Sequence, residues 1–417
     1  MPSKIPKSDP SVFFPLVILI VICLSLLIVM IFQPTPDAPG QTVAMNVPCA
    51  PIPVASELGT NLAYELELIP SPGQTIVPEK IDVIDPATGA VLYSAGGELF
   101  SKIYHPASVP PPTSEELQNG TGKLINPRIS IWFKVEPDMV PNRLIHRITM
   151  NQTASRGVPV ILTGGEVDVQ KALEPVVIGS PMHGSGWMAL ETTSPLTHHF
   201  LGQITMGGVP RVPQRYAQDW ILVDPETGRA GSGNTSLAKN YYGYGKEIYA
   251  VADGTVISAV DGFLEWELIY SAVKGIDGAA GNFVILDIGN GKYACYGHMI
   301  PGSLTVKAGD VVKEGQVIGL MGNSGNSDLP HLHFQVVTDD PTFFESEGYP
   351  HVYRTFESIG SANETIFYDS PLATMSNDQF YDNFYLAVTF EKEPIPRENM
   401  LMENWIIVSF PESDPLV

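Results

Sequence analysis

Between residues 33 and 340, no stretch of this chain keeps an apolar period suited to a long amphipathic helix. Short runs of Val, Ile, Tyr and Phe recur instead, and glycine or proline cuts each of them. A segment broken this often has the length of a strand but not of a stable helix. The 38 glycines and 37 prolines therefore decide the fold class, all-β with strands joined by turns. Asp253-Gly254, between residues 248–252 and 255–260, marks one hairpin. Gly289-Asn290-Gly291, between residues 282–288 and 292–299, marks a second.

The domain plan follows from shifts in composition. Residues 12–32 carry no charge, and a helix of that length, rising about 1.5 Å per residue, spans a hydrocarbon core of about 30 Å. Lys4 and Lys7 precede the run and Asp37 follows it, which predicts a cytoplasmic tail at 1–11 and a single-pass transmembrane signal anchor. The bulk of the chain is then extracytoplasmic. Gln33-Pro34-Thr35-Pro36 stands where a cleaved leader would have small residues. Residues 33–56 read as a linker. Residues 57–178 carry alternating runs such as Leu62-Ala63-Tyr64-Glu65-Leu66-Glu67-Leu68 and Ile129-Ser130-Ile131-Trp132-Phe133, which predict half-buried strands of a β-sandwich-like domain. His105 and His146 in that domain lack ligand-spaced neighbours and read as structural. Residues 179–340 form a second domain. Residues 341–417 read as an extension packing on the core, loop-like over 343–356 and ending in a strand at 405–410; His351 there reads as structural.

A formal charge of −22 excludes nucleic acid and an anionic membrane surface as partners, because phosphate binding needs clustered Lys and Arg. Of three cysteines, Cys23 lies in the apolar run, so only Cys49 and Cys295 could pair outside it; Cys295 reads as a packed core thiol.

Pro330-His331-Leu332-His333-Phe334 carries the chemistry. Residues i and i+2 of a strand share a face, so His331 and His333 point the same way, a spacing suited to a divalent metal. Four further blocks precede it: Val251-Ala252-Asp253-Gly254-Thr255-Val256, Gly281-Asn282-Phe283-Val284-Ile285, Tyr296-Gly297-His298-Met299, and the run from Gly309-Asp310 to Gly315-Gln316-Val317-Ile318-Gly319. Together and in this order the five blocks resemble the lysostaphin/LytM-type zinc metallopeptidases, over about residues 180–340. The resemblance implies a β-sheet core with a narrow groove, one Zn²⁺, and hydrolysis of peptide bonds, typically in bacterial cell-wall peptidoglycan. It also implies that His333 is a zinc ligand and that His331 and His298 are catalytic acid/base groups beside it.

The family's other two ligands come from a His-x-Gly-x-Asp motif, and the matching stretch here is Arg215-Tyr216-Ala217-Gln218-Asp219. Asp219 fits the carboxylate. Arg215 stands in place of the histidine, and a guanidinium has no lone pair for a metal. His198 and His199 precede a hairpin with its turn near residues 206–210, and antiparallel pairing about that turn would set one of them opposite Asp219, His199 by preference. The predicted site is Asp219, His333 and one of His198 and His199. His183, flanked by glycine, is a poorer choice. Between Asp219 and Ile248 a long loop with Tyr241, Tyr242 and Tyr244 is expected over the groove, where tyrosines either pack substrate or anchor the loop. The competing reading is a non-catalytic cell-wall-binding or amidase-regulating module with a degenerate metal site, which Arg215 favours. A biotin or lipoate carrier domain would need a lysine tripeptide that is absent from the sequence.

Overall fold

The structure, a computed structural model, describes residues 43–71, 76–107, 126–150, 159–206, 209–269, 278–362 and 388–412. The tail at 1–11, the apolar run at 12–32 and residues 33–42 of the expected linker lie outside the described residues; the rest of that linker, 43–56, is not a bare connection but carries two strands that pair with the first long strand of the sandwich. Among the described residues no helix is long and apolar enough to cross a membrane.

The first part of the fold is a two-sheet sandwich. One sheet is built from β1 (Val43–Asn46), β2 (Val54–Ser56), β3 (Gly59–Pro70), β6 (Tyr104–His105) and β7 (Arg128–Val135). The other orders β5 (Val91–Gly96), β4 (Pro78–Ile84), β8 (Arg143–Met150) and β9 (Val160–Asp168), and a short helix α1 (Gly97–Ile103) follows β5. Leu62, Tyr64, Leu66 and Leu68 of β3 and Ile129, Ile131 and Phe133 of β7 point into the space between the sheets. The alternation predicts a solvated opposite face, and here the structure differs. Asn61, Glu65, Ser130 and Trp132 are also buried, because that face of the sheet packs on the second part of the molecule. His146 is structural, with Nε2 2.9 Å from the Tyr64 hydroxyl and Nδ1 2.9 Å from the Gly165 carbonyl.

The second part is one long sheet. Its strands in chain order are β10 (Val176–Ile178), β11 (Gly184–Leu190), β14 (Gln218–Leu222), β16 (Gly254–Val260), β17 (Asn282–Asp287), β18 (Lys292–Met299), β19 (Val311–Val312), β21 (Leu332–Thr338), β22 (Glu347–Gly348), β23 (His351–Ala362), β24 (Val388–Met400) and β25 (Ile406–Phe410). Across the sheet they run β10-β23-β25-β11-β14-β21-β18-β17-β16-β19, with β22 beside β21 and β24 beside β23. Two small pairs lie outside it, the hairpin of β12 (Ile204–Met206) with β13 (Val209–Arg211) and the long-range pair of β15 (Glu247–Tyr249) with β20 (Val317–Leu320); residues 248–252 therefore do not form the hairpin with 255–260 that Asp253-Gly254 suggests, because β16 pairs with β17 and β19 instead. A one-turn helix α2 (His198–Leu201) precedes β12.

Two of the expectations for the C-terminal part change. Residues 351–356 open a 12-residue strand rather than a loop, and β25 lies between β23 and β11 inside the sheet rather than on its surface. The aromatic residues of that stretch are strand residues packed face-on against the core, as the burial of Tyr353 and Phe356 shows. Cys49 and Cys295 are both free, and Cys295 is fully buried.

Trp220 fixes the centre of the sheet. It is fully buried, sits edge-on to Tyr353 and Phe410, and donates from Nε1 to Gln218 Oε1 at 3.1 Å. Truncation leaves a cavity that three strands would have to fill. Trp220→Ala is expected to lower stability by about 3–5 kcal/mol, read from the midpoint shift in a urea unfolding curve.

Candidate metal centre

Strand register assembles the first half of the site. In the antiparallel pair β14/β21, Asp219 lies opposite His333 and Trp220 opposite Leu332. Alternation sends Trp220, Leu332 and Phe334 into the core, so Asp219, His333 and Gln335 share the other face. His331, just before β21, joins them. The distances to Asp219 Oδ1 are 2.9 Å from His333 Nδ1 and 3.5 Å from His331 Nε2.

His199 closes the site from a different element. The predicted strand pairing opposite Asp219 is not what brings it there: β11 occupies that place, with Leu190 opposite Asp219. His199 sits on α2, where the Thr197 hydroxyl accepts from the Phe200 N–H at 3.3 Å and caps the turn. Its Nδ1 is 2.8 Å from the carbonyl of Glu191, the residue after Leu190, and its Nε2 is 3.4 Å from Asp219 Oδ2. Neighbouring positions on a helix are about 100° apart. His198 consequently faces outward, 68% exposed, with Nδ1 3.0 Å from Glu191 Oε2. Donor atoms of His198, His199 and Asp219 fall within 4.8 Å of one another, yet only His199 is buried against the carboxylate. His183 stacks on Tyr249.

His298 arrives by a backbone exception. Strict alternation along β18 would turn it into the core beside Tyr296. Its φ of 63° lies in the left-handed region, uncommon outside glycine, and rotates the ring to the site face. There its ring centroid is 4.5 Å from that of His331. Gly281 holds the backbone behind it. That glycine has φ 62°, and a Cβ there would lie 2.5 Å from Ser324 backbone atoms.

One rule orients all four buried imidazoles. Each spends one ring nitrogen on a carbonyl oxygen, which can only accept: His199 Nδ1 on Glu191 O, His298 Nδ1 on Ser324 O at 2.7 Å, His331 Nδ1 on Leu329 O at 2.7 Å, and His333 Nε2 on Gln335 Oε1 at 2.9 Å. Gln335 is fixed in turn, since its Nε2 donates to the Phe343 carbonyl at 2.8 Å. The tautomers follow from these bonds. The remaining lone pairs of His199, His331 and His333 then face Asp219, itself an acceptor.

Burial works against the charge of Asp219, but His199, His331 and His333 hold its carboxyl well below the usual carboxylate range. Burial pushes His199 and His298 well below the ordinary imidazole value. For His331 burial acts in the same sense, and the Asp219 carboxylate outweighs it and raises the value.

Acceptors facing acceptors in a buried space call for protons or a cation between them. Two imidazoles, each with its other ring nitrogen on a carbonyl or amide oxygen, and one carboxylate are a donor set that fits a catalytic zinc with one position left open. The residues present therefore fit that metal. The sequence reading missed Gln335 and Glu191. Gln335 was visible as the next same-face position after His331 and His333. Glu191 acts through its carbonyl, and no side-chain pattern marks it.

Beside the centre, the passage after Asp219 is anchored by its tyrosines. Tyr241 is buried, and Tyr244 donates its hydroxyl to Glu265 at 2.6 Å. Tyr244, Lys239, Glu265 and Trp266 line a cavity of about 310 Å³. Glu265 bridges to Ser324, whose carbonyl holds His298.

Residues 239–343 match the family model described as Peptidase family M23. The matched span contains His298, His331 and His333; Asp219 and His199 lie ahead of it and enter the site by geometry alone. An uncharacterized metalloprotease of Haemophilus influenzae is 40% identical over 88 residues, 21% of this chain and 17% of that protein. Peptidoglycan DD-endopeptidase ShyA of Vibrio cholerae is 41% identical over 58 residues, 14% of this chain and 13% of that protein. Glycyl-glycine endopeptidase ALE-1 of Staphylococcus capitis is 32% identical over 125 residues, 26% of this chain and 30% of that protein. The chain spans less than a third of the length of these relatives.

Gly281→Ala places a methyl group against Ser324 and strains a left-handed position. It should cost about 1–3 kcal/mol of stability, measured by thermal unfolding, and should shift the His298 ring resonances in an NMR spectrum.

Proposed function

We propose that this chain, which carries a domain of peptidase family M23, is a zinc-dependent metalloendopeptidase that hydrolyses peptide bonds in cell-wall peptides. The observation that carries the reading is the set of lone pairs from His199, His333 and Asp219 converging in a buried space, with His331 and His298 on its other side. A zinc ion held by His199 Nε2, the Asp219 carboxylate and His333 Nδ1 would supply Lewis acidity to a water and to the scissile carbonyl. His331 and His298 each have Nδ1–H committed to a carbonyl, so each takes up or releases a proton only at Nε2. That arrangement gives the reaction a proton acceptor for the attacking water and a donor for the departing amine. The burial of these rings limits competing bulk water.

The peptidoglycan assignment rests on the activities of the relatives. The uncharged run at residues 12–32 supports an extracytoplasmic position tethered to the membrane. The non-catalytic alternative drew on Arg215 in place of a ligand. Arg215 is occupied elsewhere, in a buried ion pair with Glu65 and Glu347, while α2 supplies the missing imidazole.

Metal analysis of the purified chain should find about one zinc per molecule. His199→Ala, Asp219→Ala and His333→Ala should each lose it, and His198→Ala should keep it. His331→Ala should retain zinc but cut the release of peptide fragments from purified peptidoglycan by about 10²–10⁴-fold. A folded wild-type chain that binds no zinc would refute the reading.

A further inference from the structure

The face of the N-terminal sandwich that the sequence marks as polar is buried against the two segments that bring His199 and Asp219 to the site. A separate apolar cluster joins the parts: Trp132, Val54 and Ala63 from the sandwich pack with Phe200, Tyr216 and Val352. Trp132 stands edge-on to Phe200, with centroids 5.0 Å apart, and to Tyr216 at 5.7 Å. Its indole N–H donates to Asn61 Oδ1 at 2.9 Å, which fixes the ring. Phe200 is the residue after His199, on the same one-turn helix. A helix this short has little stability of its own and takes its position from what it packs on.

The second contact is ionic. Arg215 is 2% exposed and meets both carboxylate oxygens of Glu65, its NH2 group at 2.8 Å from Oε2, and it also pairs with Glu347. It lies in a tight turn closed by Arg215 N–H to Val212 O at 3.2 Å and Ala217 N–H to Gln214 O at 3.0 Å, three residues ahead of the start of β14 and four ahead of Asp219. The turn approaches β22 so closely that a Cβ at Gly348 would lie 2.9 Å from the Arg215 nitrogen. A buried ion cluster of this kind adds little net stability, because desolvation offsets the attraction, but it fixes where its members sit. In this chain the fixed member is the residue that stands where the metallopeptidase pattern has its histidine.

We propose that Glu65 and Trp132 of the N-terminal sandwich are positioning residues for the metal centre, holding the Asp219 turn through Arg215 and the His199 helix through Phe200. The inference rests on the zinc reading given above. On this view the sandwich is part of the catalytic scaffold: the position where the family pattern has its histidine is the anchor for the domain that seats His199.

The test uses the full chain and reads metal affinity by chelator competition, together with the visible absorption bands of the Co²⁺-loaded protein. Glu65→Gln keeps the shape of the side chain and leaves a one-to-one pair between Arg215 and Glu347, so it should fold. It and Trp132→Ala should weaken metal binding about tenfold or more and alter the Co²⁺ bands, and Trp132→Phe should recover most of the loss. Ile148→Ala opens a cavity inside the sandwich core without touching the contact; it should lower the melting temperature and leave affinity and spectrum unchanged. If Glu65→Gln and Trp132→Phe fold and match the wild type while Trp132→Ala is no worse than Ile148→Ala, the positioning role is overturned and the zinc reading stands. A wild type that binds neither metal overturns both.

Discussion

The register between β14 and β21 is the constraint on which the rest of the site depends. It sets Asp219 opposite His333 on one face and Trp220 with Leu332 on the other. A slip of one residue would exchange the two faces, burying the carboxylate in the apolar core and exposing the indole. The packing of Trp220 against Tyr353 and Phe410 therefore guards the chemistry from the far side of the sheet. Core and site are two faces of the same four or five residues.

Backbone carbonyls do most of the remaining orientation. Glu191, Ser324 and Leu329 each offer an oxygen to a ring nitrogen, and a carbonyl oxygen leaves the proton no choice of side. This way of fixing a tautomer needs no particular side chain at the supporting position. It needs the chain to turn there, and the left-handed φ values of Glu191 and His298 are where it does so. Strained backbone at these two residues is stabilised by the packing around it, as is common where a few groups must converge.

What could be read from the sequence follows from this division of labour. His331, His333 and Asp219 were legible because period-two alternation and recognisable blocks place them. His298 was legible as a block but not as geometry, since alternation alone sends it to the wrong face. The structure buries His199 against Asp219 and turns His198 outward, and it does so by a one-turn helix capped by Thr197, not by the strand pairing read from the sequence. The sandwich was visible as strands, yet its second face looked solvated because Glu65 and Asn61 are polar. The ion pair with Arg215, many residues away, makes burial of Glu65 tolerable. Period-two reading detects which residues share a face and is silent about what that face meets.

The placement of β25 between β11 and β23 has a bearing on how such a molecule comes into being. Strand β11 leads to Glu191, whose carbonyl seats His199, and its second neighbour is supplied by residues 406–410. Pairings between segments so far apart in sequence form late, because a long loop must close first. A chain synthesised from its N-terminus thus carries every side chain of the centre well before it carries the strand that completes the sheet around it. The sheet around the centre closes only once residues 406–410 are there to pair with β11.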